Sequence, residues 1–170
     1  NIGERVTKLA LVDKFEVDPG RAVADADLVI MAVPVGAMAD LSAKIVPYMK
    51  QGAILSDTGS TKRSVVRDVG PHVGDAIHWV PSHPLAGTEH SGPEAGMADL
   101  FDGRYWLVLP LDAPEEVVAK FEFFIAGLGS VSERMDADYH DKVTALTSHL
   151  PHLIAYTIVG TATDLEDHIK

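Results

Sequence analysis

Asp27-Leu28-Val29-Ile30-Met31-Ala32-Val33-Pro34-Val35 is a continuous apolar, β-rich run closed by a proline. A strand with only one buried face alternates apolar and polar residues, whereas a parallel strand covered on both faces does not. The run is therefore predicted as a parallel strand, and Pro34 as its end. Gly36–Met49 follows, with Met38, Leu41, Ile45 and Met49 at spacings of three and four, the pattern of an amphipathic helix. Gln51-Gly52 turns the chain. Ala53-Ile54-Leu55-Ser56 is a second buried strand, ending in the small-residue loop Asp57-Thr58-Gly59-Ser60-Thr61-Lys62. That loop opens a helix running to about Val69, with Ser60 or Thr61 as its natural N-cap.

The same grammar extends in both directions. Upstream, residues 1–14 form a helical or irregular lead-in, Lys14–Asp18 alternates like a short strand, and Pro19-Gly20 opens a brief helix over Arg21–Ala26. Downstream, strands are predicted at residues 78–82, Tyr105–Pro110 and Ser130–Met135, the last as an edge strand. A short helix is predicted at Glu94–Phe101, and a longer one begins after Pro114 and stops at Gly127-Leu128-Gly129. Asp136–Thr163 reads as one long helix, interrupted chemically by Pro151. Strands alternating with helices predict an α/β fold with a doubly wound, mostly parallel sheet.

The bulk properties narrow the function. The chain has 170 residues, 46% of them apolar, with 25 acidic against 14 basic residues and a net charge of -11. Its Lys and Arg residues form no stripe, which argues against nucleic acid as a partner, and an acidic surface repels anionic membranes. It has no cysteine, so disulfide scaffolds and thiolate metal sites are excluded, favouring a cytoplasmic setting. No apolar run approaches the roughly 18 residues of a spanning helix.

Chemistry concentrates in Ser82-His83-Pro84-Leu85-Ala86-Gly87-Thr88-Glu89-His90-Ser91-Gly92, which holds two histidines, a carboxylate and three hydroxyls. It follows a strand, and open α/β sheets place their sites at strand ends. His83 is a candidate acid/base because imidazole titrates near neutral pH; its structural alternative is to cap the strand end. Ser60, at a helix start, can cap the helix and also donate to a bound oxyanion. Glu89 is either a ligand-binding carboxylate or a solvated one, and Thr88 and Gly87 let backbone approach a ligand. His149 and His152 share a helix face. They have no third metal ligand at suitable spacing, so no metal site is assigned. Lys62 either attracts an anion or is an ordinary exposed helix lysine. Asp57 holds its own loop through backbone N–H groups. No G-x-G-x-x-G occurs, so either the fold binds no dinucleotide or the first β-α-β unit of a dinucleotide-binding sheet is not in this chain.

Three segments decide between these. Asp57–Lys62, Ser82–Gly92 and Ser148-His149-Leu150-Pro151-His152, together with Val33-Pro34-Val35, resemble the prephenate/arogenate dehydrogenase family in order and spacing, from about residue 10 to the end. The resemblance implies a Rossmann-like dinucleotide-binding domain over residues 1–135, incomplete at its N-terminus. The start of an all-helical dimerisation domain then covers residues 136–170. It implies NAD or NADP as cofactor, a homodimer in the intact protein, and oxidative decarboxylation of prephenate or arogenate in tyrosine biosynthesis. His83 becomes the base and Ser60 its neighbour beside the substrate hydroxyl. Thr88, Glu89, His149 and His152 become substrate contacts, and Val33, Pro34, Val35, Asp57 and Gly59 cofactor contacts. The family's carboxylate-binding arginine belongs to the helical domain beyond this chain. Two alternatives stand beside it: a β-hydroxyacid dehydrogenase-like oxidoreductase, and a non-catalytic ligand- or partner-binding domain.

Overall fold

The structure, a computed structural model, describes residues 2–87, 90 and 92–169, with side chains to Thr163. Among the described residues, six strands form two three-stranded sheets. In the first, β1 (Leu28–Met31), β2 (Ile54–Asp57) and β3 (His78–Trp79) run parallel in that order. In the second, β4 (Ser82–Pro84) pairs antiparallel with β5 (Tyr105–Val108), and β5 pairs parallel with β6 (Val131–Arg134).

The apolar composition of β1 and of the first half of β2 is explained by two cores. Val29, Met31 and Leu55 face one core, which contains Met38 and Ile45 of α3 (Met38–Ile45) and Val65 and Val69 of α4 (Lys62–Val69). Leu28, Ile30 and Ile54 face the other, built with Val117, Val118, Phe121 and Ile125 of α5 (Glu115–Gly127). Alternate residues of one strand thus serve opposite cores. Each fully buried branched or aromatic side chain contributes about 1.5–3 kcal/mol.

The predicted strand at 78–82 divides. Val80 donates its N–H to Leu55, continuing the first sheet, but Pro81 has no N–H to give. Its carbonyl instead accepts from Leu109 at 2.9 Å, and the chain passes into the second sheet. This proline switch creates the one antiparallel pairing among the described residues and places His83 in β4, opposite Leu107.

Other expectations are corrected. Lys14–Asp18 is not a strand: the Glu16 carboxylate accepts the N–H groups of Val17 and Asp18, and Asp18 caps α2 (Pro19–Val23) through Arg21 N–H. The helix predicted over Gly36–Met49 is α only at Met38–Ile45, flanked by 3₁₀ turns, with Pro47 in the second. Glu94–Phe101 contributes a 3₁₀ turn at Pro93–Ala95 and then only turns. The long C-terminal stretch is three pieces: α6 (Ala137–Thr144), a π-helical turn at Ala145–His149, and α7 (Leu150–Ile169). The wide turn ends two residues before Pro151, whose ring would collide with a carbonyl in a regular α ladder. Leu153, Ile154, Ile158 and Val159 of α7 are exposed. The short α1 (Ile2–Lys8) completes the set. No helix among the described residues is long and apolar enough to cross a membrane.

Candidate active site

The end of β2 lies beside the start of β4, and a buried polar cluster joins them. Asp57, at the last position of β2, is fully buried and accepts hydrogen bonds from Gly59 N–H (2.8 Å), Ser82 N–H (3.3 Å) and the Lys62 ammonium. Lys62 is equally buried and also donates to the Ser82 carbonyl. Burial pulls its pKa down, opposed by the Asp57 charge. Lys62 is therefore neither the anion attractor nor the exposed helix lysine that the sequence allowed. It bolts α4 to two strand ends. Asp57 and Gly59, both expected as cofactor contacts, are likewise enclosed. The Asp57 oxygens are turned inward, and Gly59 is buried so tightly that a Cβ would lie 2.9 Å from Asp57 Oδ2 and 3.2 Å from Val35 Cγ2.

One residue past Ser82, the half-buried His83 turns Nδ1 toward Nε2 of His140 on α6, at 2.9 Å. His140 is fully buried, and its Nδ1 lies 2.7 Å from Asp141 Oδ1. The Asp141 carboxylate also accepts the N–H groups of Lys62 (2.7 Å) and Arg63 (3.0 Å). These are the first N–H groups of α4, so the cap expected from Ser60 or Thr61 comes from α6 instead. Thr61 holds the N-cap position, but its hydroxyl bonds the Ser64 hydroxyl at 2.7 Å rather than a backbone N–H of the helix. Carboxylates are favoured at helix N-termini by the aligned peptide dipoles.

The electrostatics follow. Burial, reinforced by His140, Lys62 and His149, pulls the His83 pKa down to about 4, with Asp141 opposing. Burial also lowers His140, against Asp141. Burial alone would raise the Asp141 carboxyl, but the Lys62 N–H, His140 and the Arg63 N–H outweigh it and hold it below the usual range. At neutral pH the site therefore presents two neutral imidazoles and one carboxylate.

A cavity of about 1100 Å³ opens over His83. Ser60, His149 and His152 line it too, so four of the sequence-derived site residues meet in one space although they lie on three separate segments. Gly87, Arg104 and Tyr156 line it as well. His152 donates Nδ1–H to the Ser148 carbonyl at 2.8 Å, which fixes its tautomer and leaves Nε2 unprotonated in the neutral ring. Thr88 and Glu89 fall outside the described residues. Among the described residues no three His, Asp or Glu side chains are placed to hold a metal ion.

Val33, Pro34 and Val35 do not line this cavity. They follow β1, with Pro34 exposed and the two valines half-buried, and Gly36 beside them has no atom within 4 Å of where a Cβ would stand. The strand end is uncharged and open beside Gly36, so no side chain there obstructs a ribose-nicotinamide unit. His140 and Asp141 do not stand out in the sequence. The only signal was an adjacent His-Asp pair near the start of a helix, which by itself is an ordinary solvated pair.

Residues 3–134 match the family description "Prephenate dehydrogenase, nucleotide-binding domain", and residues 136–170 match "Prephenate dehydrogenase, dimerization domain". The cyclohexadienyl dehydrogenase of Zymomonas mobilis is 40% identical over 166 residues, covering 97% of this chain and 56% of that protein. The prephenate dehydrogenase of Lactococcus lactis is 30% identical over 159 residues, covering 92% of this chain and 43% of that protein. The chain thus spans about half the length of the curated relatives it matches. Among solved structures, Aquifex aeolicus prephenate dehydrogenase superposes with a TM-score of 0.86 at 27% identity, covering 95% of this chain and 58% of that one. The same enzyme in complex with hydroxyphenyl propionate and NAD+ gives a TM-score of 0.82 at 28% identity, covering 93% and 55%. With both of its segments matched in order and an α/β architecture that superposes on these structures, the chain belongs to the prephenate dehydrogenase family.

Proposed function

We propose that the protein carrying this chain oxidises and decarboxylates prephenate or arogenate, giving 4-hydroxyphenylpyruvate or tyrosine, with His83 as the acid/base group. The observation that carries this reading is His83 itself. It is a half-buried imidazole, neutral at working pH, lining a cavity shared with Ser60, His149 and His152. A base must be unprotonated and within reach of the proton it takes, and a pKa pulled down to about 4 keeps His83 unprotonated throughout the neutral range.

A nicotinamide cofactor, NAD or NADP, supplies the hydride acceptor. Val33, Pro34 and Val35 would hold it as the apolar wall at the end of β1. As hydride leaves the ring carbon bearing the hydroxyl, positive charge develops on that oxygen, and His83 accepts its hydrogen bond and shares its proton. The ring carboxylate departs as CO2, its bonding pair enters the ring, and the ring becomes aromatic with the phenolic proton restored. Ser60, exposed at the cavity wall, donates to the same oxygen. His149 and His152 contact the substrate from the helical side, and Thr88 and Glu89 belong to the same substrate-binding set. The division into a dinucleotide-binding domain over 1–135 and a helical domain from 136 is supported by the break between β6 and the Asp136 cap of α6. The exposed apolar side chains of α7 suit burial in the dimer of the whole protein, a cytoplasmic enzyme.

In the full-length protein, His83→Asn should lower kcat for prephenate and arogenate oxidation by about 10²–10⁴-fold, followed as NADH formation, with unchanged thermal stability at neutral pH. Full activity of this variant with either substrate would remove His83 from the role.

A further inference from the structure

A neutral histidine is a base at one nitrogen only, and the nitrogen that carries the proton is chosen by the hydrogen bond at the other. The chain of contacts leading from His83 into the protein settles this choice step by step. Asp141 accepts from two backbone N–H groups at the start of α4, and its carboxyl is held below the usual range, so it is ionised and can only accept. His140 Nδ1 lies 2.7 Å from it and must therefore carry the proton. Neutral His140 then has an unprotonated Nε2, which can only accept. His83 Nδ1, 2.9 Å away, must donate. The one remaining nitrogen, His83 Nε2, is left unprotonated on the side of the ring away from α6, and His83 lines the cavity.

We infer that Asp141 and His140 are positioning residues for the acid/base histidine: the carboxylate sets the His140 tautomer, and His140 sets that of His83, so that an unprotonated Nε2 is presented to the cavity. The inference rests on His83 being the base and adds what makes it one. The same carboxylate caps α4, so α6 holds the base and the loop carrying Ser60 through a single residue. The orientation of the base thus depends on a helix that lies, in sequence, beyond the nucleotide-binding segment.

The groups facing His83 are His140 and Asp141 from α6, Lys62 from α4 and His149 from the π turn, with Asp57 behind Lys62. Two of these give opposed signatures. Asp141 favours a charged His83 and His140 opposes it. With Asp141→Asn the acid limb of kcat/KM should therefore move to lower pH, and with His140→Leu to higher pH. A loss of packing alone would lower the rate at every pH and move neither limb.

The test uses the full-length protein with histidine ¹⁵N labelling. In the wild type, His83 and His140 should both be Nδ1–H tautomers. Asp141→Asn should convert both rings to mixtures and lower kcat by about 10-fold or more, with KM within about two-fold. His140→Gln supplies an acceptor to His83 and a donor to Asp141, and should restore most of the activity that His140→Leu loses. An Nε2–H tautomer at His83 in the wild type would overturn the inference. So would tautomers and acid limbs that stay put in all three variants. The tautomer readout needs no turnover: a His83→Asn protein with full activity would remove the base, whereas the ¹⁵N shifts report the positioning chain on their own. Should Asp141→Asn unfold α4, the wild-type tautomer and the His140 variants still decide.

Discussion

Ser82 precedes the candidate base by one position and is completely buried. Its hydroxyl accepts the indole N–H of Trp106 at 2.8 Å and reaches the Asp57 carbonyl at 2.7 Å. A buried donor left without a partner costs its full desolvation, about 1–3 kcal/mol. Ser82→Ala should therefore lower unfolding free energy by that amount in urea titrations, through the orphaned Trp106 N–H. KM should change little, because Ser82 does not line the cavity. A large KM change with unaltered stability would show that the serine serves the ligand directly.

At the scale of the element, α4 is tied down at its start from two sides. Its first turn is held by Asp141 from α6, and its Lys62 by Asp57 and the Ser82 carbonyl. Removing one member of a buried ion pair strands the other charge and costs about 3–5 kcal/mol, whereas removing both costs much less. Lys62→Met should lower stability by about that much, and Asp57→Asn/Lys62→Met should recover a substantial part. Additive losses in this double-mutant cycle would mean that the pair is not coupled. Asp57 was legible as a carboxylate holding its own loop, and Gly59 N–H does donate to it, but Lys62 was not legible as structural. A lysine at a helix start reads as exposed, and only the convergence of two strand ends encloses it.

At the scale of the whole molecule, the two shifted histidines make folding pH-dependent. The folded His83 pKa is about 4 against an ordinary 6.5, and His140 is lowered too. Between pH 6.5 and 4 the unfolded chain takes up protons that the folded site resists. Stability present above pH 6.5 is thus lost as pH falls toward 4. Allowing for the partial exposure of His83, its share is about 1–2 kcal/mol, or a fall in Tm of roughly 3–6 °C. His83→Asn should flatten that fall. A Tm that drops equally in wild type and variant over this window would assign the loss to other groups.

Much of this molecule was legible from local pattern. The double-sided apolar run at residues 27–35, the helix-period spacing after it and the punctuation by Gly and Pro determine parallel strands and helices, because each depends on residues a few positions apart. The polar density of Ser82–Gly92 drew attention to His83 for the same reason. Ser60, His149 and His152 line the same cavity, whereas Met97, Asp99, Arg104 and Tyr156 of its wall did not stand out in the sequence. Local pattern also misled where side chains captured backbone, as Glu16 does at the predicted strand of Lys14–Asp18. Only the tertiary structure decided what holds the site. That His140 and Asp141 stand behind His83, that Asp141 caps α4 across 79 positions, and that Lys62 and Asp57 are buried all depend on α6 meeting the ends of β2 and β4. Spacing within one segment carries no record of contacts made between segments, and the chemistry of this histidine is set by those contacts.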